Sequence, residues 1–288
     1  MPFSLDRLAQ PKKGTKRPFP RAADILVGAV RRYATPPPAA AAKLGGKVPL
    51  IGVDIETHDW TGGRSMNKRG SIGQFGCYNI CLPCDIEEPR IVQIGWAVRG
   101  SGDREPVVTE RLVRPDGFRV SDKAAAFHRI THARAAEEGV SLADALAELM
   151  RDALEVSGRS GRLVCHHLEF DAGIIAKELS RCKMADASKL WAKIARAGLC
   201  TMDPHIGSWV RQSFNEEVHE PETRNTLSLK ELVRRLLPER TDLLAKHHTA
   251  GADACMVLEV AFALHELALP PPDARGQEKG TAAAEEGS

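Results

Sequence analysis

The sequence predicts an α/β protein with a mixed five-stranded sheet and helices on both faces. Its first half contains three segments of β-type alternation, and helical periodicity begins after residue 141. The resulting order is three strands, a helix, a strand, a helix, a strand and two helices, which is typical of a mixed sheet covered on both sides. With 288 residues and 43% hydrophobic residues, the chain can bury a substantial core.

Charge is distributed unevenly along the chain. Residues 1–48 contain ten Lys and Arg against two Asp, a local charge of +8, so the remaining 240 residues carry −6 of the overall +2. A basic arm on a mildly acidic body predicts an anionic partner or a targeting role for the arm. Three interpretations stay open: a disordered spacer, a nuclear address at residues 11–18, or an organelle presequence at residues 22–33.

Cysteine usage and hydropathy indicate an intracellular, reducing compartment. The seven cysteines are odd in number, and four lie in mostly apolar later segments: Cys165, Cys182, Cys200 and Cys255. Nucleus, cytoplasm and organelle stay open. No run of about 18 apolar residues predicts a membrane span, and no secretory signal is evident. We expect one folded domain at residues 49–269 and a disordered tail at residues 270–288.

The first predicted strand, residues 49–57, ends in two carboxylates, Asp54 and Glu56. Side chains two residues apart leave the same face of a strand, while Ile51, Val53 and Ile55 pack on the other face. Adjacent negative charges are costly to bury unless a cation lies between them, so the pair favours a hard divalent metal with oxygen ligands. The alternative is a carboxylate pair that faces water at the end of the strand.

Residues 58–89 form a polar, glycine-rich insertion longer than an ordinary loop. It contains Cys77, Cys81 and Cys84, three candidate thiolate ligands of a structural zinc ion. A closed zinc site needs four ligands, and His58 is the only nearby candidate for the fourth. We therefore favour reduced cysteines in an ordered insertion over zinc.

The remaining elements follow from hydrophobic period and turn residues. Ser141 is a suitable N-cap for the first long helix. The predicted strands are residues 90–98, 106–114, 162–165 and 198–202, and the predicted helices are residues 142–154, 171–179, 226–237 and 252–267.

Two later stretches supply further acidic candidates. Asp171 opens a helix soon after a buried strand, and Asp253 opens an apolar helix with His248 five residues before it. The alternative for Asp171 is a helix N-terminal acid stabilised by the helix dipole. A lone histidine is more often structural, and we interpret His128, His166 and His247 in that way.

Together these residues resemble the DEDDh group of 3′–5′ exonucleases in the ribonuclease H-like superfamily. That group includes proofreading subunits of bacterial DNA polymerases, Trex-type nucleases and oligoribonuclease. The three motifs match at residues 53–57, 166–171 and 248–253, with the His-to-Asp spacing of the "h" subtype. Segments 90–95, 127–131 and 225–232 match as well, so the likeness covers about residues 48–268 in the right order.

The resemblance implies a ribonuclease H-like fold and a two-metal exonuclease. Asp54, Glu56, Asp171 and Asp253 would hold two Mg²⁺ or Mn²⁺ ions, and His248 would be the general base. The implied substrates are 3′ ends of single-stranded DNA or RNA, the product is a nucleoside 5′-monophosphate, and a polymerase or another nucleic-acid enzyme is a candidate partner. The preferred sugar and the oligomeric state stay open.

The chain departs from the family pattern next to the first motif. Relatives usually carry a small residue or Gly after the motif's Thr, whereas Thr57 is followed here by His58, Asp59 and Trp60. Thr57, His58 and Trp60 are candidate substrate contacts, and Trp60 either stacks on a base or packs within the insertion. His167 stands where the second motif commonly has Asn.

Two other functions compete with the exonuclease. One is a nucleic-acid-binding or polymerase-associated module with the same fold and little or no turnover, and the other is a docking scaffold dominated by the basic arm and the cysteines. The presence of all five site residues argues against loss of turnover, because decay would be expected to remove at least one of them.

Overall fold

The structure of the chain is a computed structural model. It describes residues 48–59, 89–100, 103, 105–219, 222–245 and 248–268. Most of the predicted basic arm, most of the 58–89 insertion and the predicted tail lie outside these ranges. The predictions made for them stay predictions.

One mixed sheet contains the five strands of the described chain. They are β1 (Leu50–Thr57), β2 (Ile91–Arg99), β3 (Val107–Leu112), β4 (Arg162–Cys165) and β5 (Leu199–Cys200). The spatial order is β3-β2-β1-β4-β5, with antiparallel pairing of β1 to β2 and of β2 to β3 and parallel pairing of β1 to β4 and of β4 to β5. The predicted fold class is confirmed, and each predicted strand end lies within two residues of the observed one.

Nine α-helices occur in the described ranges. They are α1 (Asp122–His128), α2 (His132–Glu138), α3 (Leu142–Gly158), α4 (Leu168–Arg181), α5 (Ala185–Arg196), α6 (Pro204–Ser213), α7 (Leu229–Leu236), α8 (Thr241–Ala245) and α9 (Ala250–Ala268). A 3₁₀ turn at Glu222–Asn225 precedes α7. None of the helices in this part of the chain combines the length and apolar character that a membrane span requires.

The sequence predicted α3, α4, α7 and α9 but not the other five helices. Three of those five, α1, α2 and α8, have seven residues or fewer and so present few turns of periodicity. Capping side chains gave an available signal, because Ser121, Thr131 and Asp203 cap α1, α2 and α6. The start predicted for α4 is wrong by three residues, since His167 occupies the N-cap without a side-chain cap hydrogen bond.

Helices cover both faces of the sheet, as predicted. Ile51, Val53 and Ile55 lie on one face in a core shared with α3, α4 and α5, including Leu149 and Trp191. The opposite face packs against α6, α7 and α9 through a second core, whose larger members are Val164, Trp209, Leu232, Met256 and Val260. β1 therefore contributes apolar side chains to one face and leaves its two carboxylates on the other.

α9 contacts the sheet at two glycines on the carboxylate face. A Cβ atom on Gly52 would lie 2.4 Å from the carbonyl oxygen of Ala254, and one on Gly95 would lie 2.1 Å from the carbonyl carbon of Ala250. Both distances are shorter than any real Cβ contact, and the atoms met are backbone. The absence of side chains at Gly52 and Gly95 thus lets the helix backbone approach the strands.

Gly95→Ala is expected to force α9 away from the sheet. Insertion of a methyl group against packed backbone costs about 2–3 kcal/mol, so we expect the free energy of unfolding to fall by that amount. Urea unfolding measures it. Gly158→Ala is the matched control, because a Cβ at Gly158 meets nothing within 4 Å. Equal stability of the two variants would contradict the close approach of α9.

Candidate metal centre

The end of β1 carries the first two acids of the site. Asp54 and Glu56 share the face that α9 covers, and Glu56 is only 9% exposed. The pairing of β1 with β2 becomes irregular between Glu56 and Thr57, so the regular strand pairing ends just after the second acid. Both carboxylates therefore project from a rigid strand close to its end.

Asp253 joins these two acids from the first turn of α9. One carboxylate oxygen from each of Asp54, Glu56 and Asp253 lies within 4.8 Å of the other two. Three oxygen donors at this separation suit a hard divalent cation, and carboxylates are the usual protein ligands of such ions. The described chain thus brings together three of the four acids that the sequence singled out as metal ligands.

Asp171 is buried in the first turn of α4, beside this group of three. Burial raises the pKa of Asp171 to about 7, while hydrogen bonds from the backbone amides of Ile55, Asp171 itself and His167 act in the opposite direction. β4 pairs with β1 only from Leu50 to Gly52. Beyond that pairing, the Ile55 backbone lowers the pKa of Asp171, so the start of α4 lies beside the end of β1.

Negative charges crowd the centre. Burial and the charges of Asp171, Asp253 and Glu56 raise the pKa of Asp54 well above its usual range. Burial and the charges of Asp253, Asp171 and Glu110 raise the pKa of Glu56 to about 8. Every neighbouring charge that acts on Asp54 is another carboxylate, so a cation between them would relieve both the repulsion and the cost of burial.

His248 lies at the partly exposed edge of the site. Its backbone is left-handed, with φ of 75°, and its N–H donates to Oδ1 of Asp253 over 3.4 Å. The His248 ring meets the ring of Phe127 edge-on, with centroids 4.3 Å apart. The predicted general base is thereby held close to Asp253 and in contact with α1.

Phe127 is a residue of the site that the sequence did not assign. It is 52% exposed although it contacts His248. The signal was present, because Phe127 opens the matched segment 127–131. In the sequence, an apolar residue at the end of a short helix resembles a core residue, and only the tertiary structure shows that it is exposed.

Thr57 and His58 differ in their surroundings. The Thr57 hydroxyl donates to the carbonyl oxygen of Asp59. His58 is 3% exposed, its Nδ1 accepts from the Arg90 amide, and its ring packs edge-on against Phe118. These contacts pack His58 against Arg90 and Phe118, and the predicted substrate contacts of Thr57 and His58 stay predictions.

Other histidines take structural positions. Nδ1 of His128 accepts from the Ile130 amide, which leaves Nε2 to donate to the carbonyl oxygen of Thr57. His166 bonds the Thr201 hydroxyl through Nδ1, and the His167 ring stacks on Phe170. His247 lies outside the described residues, as do Trp60, Cys77, Cys81 and Cys84, so the predicted roles of these five stay predictions. The four cysteines that the structure describes are free thiols.

Comparison with solved structures finds this fold in exonuclease I. One exonuclease I structure aligns over 76% of this chain and 41% of its own, with 14% identity and a TM-score of 0.50. A moderately thermophilic exonuclease I from Methylocaldum szegediense aligns over 76% of this chain and 40% of its own, with 17% identity and a TM-score of 0.51. E. coli exonuclease I in complex with a 5cy-dA13 oligonucleotide aligns at 15% identity, over 76% of this chain and 41% of its own, with a TM-score of 0.48.

The first two alignments establish a shared fold and confirm the predicted resemblance at that level. Our chain spans about two fifths of the length of these exonuclease I structures. No protein-family model matches the chain, and no curated protein matches its sequence. The fold is thus shared at low sequence identity, and the acidic centre described above lies within it.

Proposed function

We propose that the protein is a metal-dependent 3′–5′ exonuclease that removes nucleoside 5′-monophosphates from single-stranded nucleic acid. The observation that carries this proposal is the convergence of carboxylates from Asp54, Glu56 and Asp253 within 4.8 Å, with Asp171 beside them. The exonuclease I structures that share the fold support the same activity. Because the chain spans only part of their length, their activity is an argument by analogy.

The residues present fit divalent metal ions. All donors are carboxylate oxygens, and their mutual repulsion is what a dication offsets. We propose that Asp54, Glu56, Asp171 and Asp253 hold two Mg²⁺ or Mn²⁺ ions. Bound ions of this kind polarise a phosphoryl oxygen and make water more acidic, which is the chemistry that phosphodiester hydrolysis needs.

His248 is the proposed general base. A neutral imidazole can accept a proton from an attacking water at a ring nitrogen. The contact of its N–H with Asp253 and of its ring with Phe127 would keep the imidazole beside the carboxylates. Phe127 also offers an exposed aromatic surface of the kind that stacks on unpaired bases.

Single-stranded ends are the proposed substrate. The chain outside the arm carries a net charge of −6, which does not favour strong electrostatic binding to the phosphates of duplex nucleic acid. Both DNA and RNA are candidates, and contacts to the 2′ position would decide between them.

The proposal is tested with 5′-labelled single-stranded DNA and RNA of one sequence, incubated with the full chain in Mg²⁺, in Mn²⁺ and in EDTA. We expect a ladder that shortens from the 3′ end in either metal and intact strands in EDTA. The preferred substrate identifies the sugar. Strands that are bound but never shortened in either metal would replace the exonuclease with a binding module.

His248→Ala is expected to lower kcat by about 10²- to 10⁴-fold, because a positioned general base contributes that much. Mn²⁺ affinity should stay close to that of the wild type, since the four acids remain. Single-turnover cleavage at saturating metal measures the rate. The exposed His205→Ala on α6 is the matched histidine control. A variant at His248 with the wild-type rate would remove the residue from the mechanism.

A further inference from the structure

We propose that Gln93 and Glu110 hold the first turn of α9 against the sheet and thereby position Asp253 in the metal centre. The catalytic consequence rests on the proposed exonuclease function, whereas the effect on metal binding does not. Gln93 lies on β2 and Glu110 on β3. Neither residue belongs to the motifs that carry the metal ligands.

Two consecutive amides of α9 donate to these two side chains. The Ala250 amide donates to Oε1 of Gln93 over 2.9 Å, and the Gly251 amide donates to Oε2 of Glu110 over 2.8 Å. Amides in the first turn of a helix have no partner within the helix, so acceptors from elsewhere must satisfy them. Here the acceptors come from two neighbouring strands, which fixes the helix start to the sheet.

The next two amides of the same turn use local acceptors. The Ala252 amide donates to Oγ1 of Thr249, and the Asp253 amide donates to the carbonyl oxygen of Thr249. Asp253 lies two positions after Gly251, and His248 lies two positions before Ala250. A shift of the first turn would therefore displace both the third acid and the proposed base.

The strand register places Gln93 and Glu110 beside the acids. Asp54 pairs with Gly95, which pairs with Glu110, and Glu56 pairs with Gln93. Directly paired residues point to the same face of a sheet, so Gln93 and Glu110 face α9 together with the acids of β1. Gly95 lies between Gln93 and Glu110 and lets the α9 backbone approach the sheet.

Gln93 and Glu110 have different surroundings. Gln93 is 2% exposed, so its amide side chain has few alternatives to the Ala250 contact. Glu110 is exposed on the edge strand, and its negative charge lies at the helix end that favours anions. That same charge contributes to the raised pKa of Glu56, so Glu110 stands close enough to the centre to affect it.

The test measures Mn²⁺ binding by electron paramagnetic resonance in the full chain and its variants. Glu110→Ala removes the acceptor, Glu110→Gln keeps an acceptor oxygen without the charge, and Gln93→Leu removes the second acceptor at similar volume. Thr109→Ala, on the opposite face of the same strand, is the control for changes to β3. Thermal melting of each variant checks the fold.

Loss of a partner that orients a metal ligand typically weakens metal binding by about 10- to 100-fold. We expect that loss in Glu110→Ala and Gln93→Leu, and affinity within about threefold of wild type in Glu110→Gln and Thr109→Ala. Wild-type affinity in Glu110→Ala would overturn the proposal. Equal weakness of Glu110→Gln and Glu110→Ala would also overturn it, because the charge rather than the hydrogen bond would then matter.

The outcome is separable from that of the exonuclease proposal. A wild-type chain that binds Mn²⁺ with this variant pattern but leaves labelled strands intact would defeat the exonuclease and sustain the positioning role. Metal-dependent shortening by the wild type, together with unchanged Mn²⁺ affinity in the variants, would sustain the exonuclease and defeat the positioning role.

Discussion

Asp54→Asn is expected to abolish nuclease activity and to stabilise the metal-free protein. Asn has the size of Asp but no charge, so it cannot share a dication with Glu56 and Asp253. Removal of one electrostatic contact to the reacting group costs about 10²- to 10³-fold in rate, and loss of a metal ligand should cost at least that much. Cleavage of labelled single strands in Mg²⁺ measures this loss.

Stability should change in the opposite direction. Burial and three neighbouring carboxylates raise the pKa of Asp54. In the folded metal-free protein this carboxyl group is therefore either protonated or repelled by its neighbours, and both states lower the free energy of unfolding. Two like charges about 4 Å apart repel by about 4 kcal/mol at an effective dielectric constant of about 20. If Asp54→Asn relieves a quarter to a half of this repulsion, the Tm of the protein in EDTA at pH 8 rises by about 3–6 °C.

A surface acid provides the control for Asp54→Asn. Asp186 is 78% exposed at its side chain and pairs only with Lys189 at 3.3 Å among the described salt bridges, so Asp186→Asn should leave both activity and Tm unchanged. The interpretation of the acidic centre is wrong if Asp54→Asn melts at the wild-type temperature in EDTA, or if it retains wild-type activity.

The metal-free protein is expected to lose stability as pH rises from about 5 to about 8. The pKa of Glu56 rises from 4.5 in the unfolded chain to about 8 in the folded protein, and that of Asp171 from 3.8 to about 7. Between those values the folded protein keeps protons that the unfolded chain has released. Since the folded state binds more protons, the free energy of unfolding falls with rising pH through this window.

Excess Mg²⁺ should remove most of this loss, because a bound dication favours the ionised carboxylates. The measurement is urea unfolding at several pH values, in EDTA and in Mg²⁺. Across the window we expect a loss of about 2–4 kcal/mol in EDTA, since each unit of pKa shift corresponds to about 1.4 kcal/mol and coupled groups share the cost. Glu56→Gln should show a shallower slope in EDTA. Superimposable curves with and without Mg²⁺ would contradict a metal centre here.

The sequence was most informative where local pattern and chemistry coincide. The alternation along β1 predicted both the apolar face of Ile51, Val53 and Ile55 and the common direction of Asp54 and Glu56. Strand ends were predictable within two residues because β-branched runs are bounded by polar, Gly or Pro residues. The DEDDh resemblance added the order of the acids along the chain.

Prediction was weaker where tertiary contacts override local signals. The start of α4 lacks a capping side chain, and three of the five helices that were not predicted have seven residues or fewer, so packing rather than periodicity stabilises them. Phe127 was not assigned to the site, because nothing in its local sequence indicates that it lies half exposed beside His248. Gln93 and Glu110 looked like ordinary strand residues, since nothing local indicates a helix terminus above them.

The sequence by itself determined the strands, the main helices, the faces of β1 and the acids worth examining, because each depends on residues close together in the chain. Only the tertiary structure decided how these acids meet. Asp253 reaches Asp54 and Glu56 because Gly52 and Gly95 admit the α9 backbone and because side chains of β2 and β3 accept its first amides. Such distances depend on packing between segments remote in sequence, and no periodicity or spacing along the chain encodes them.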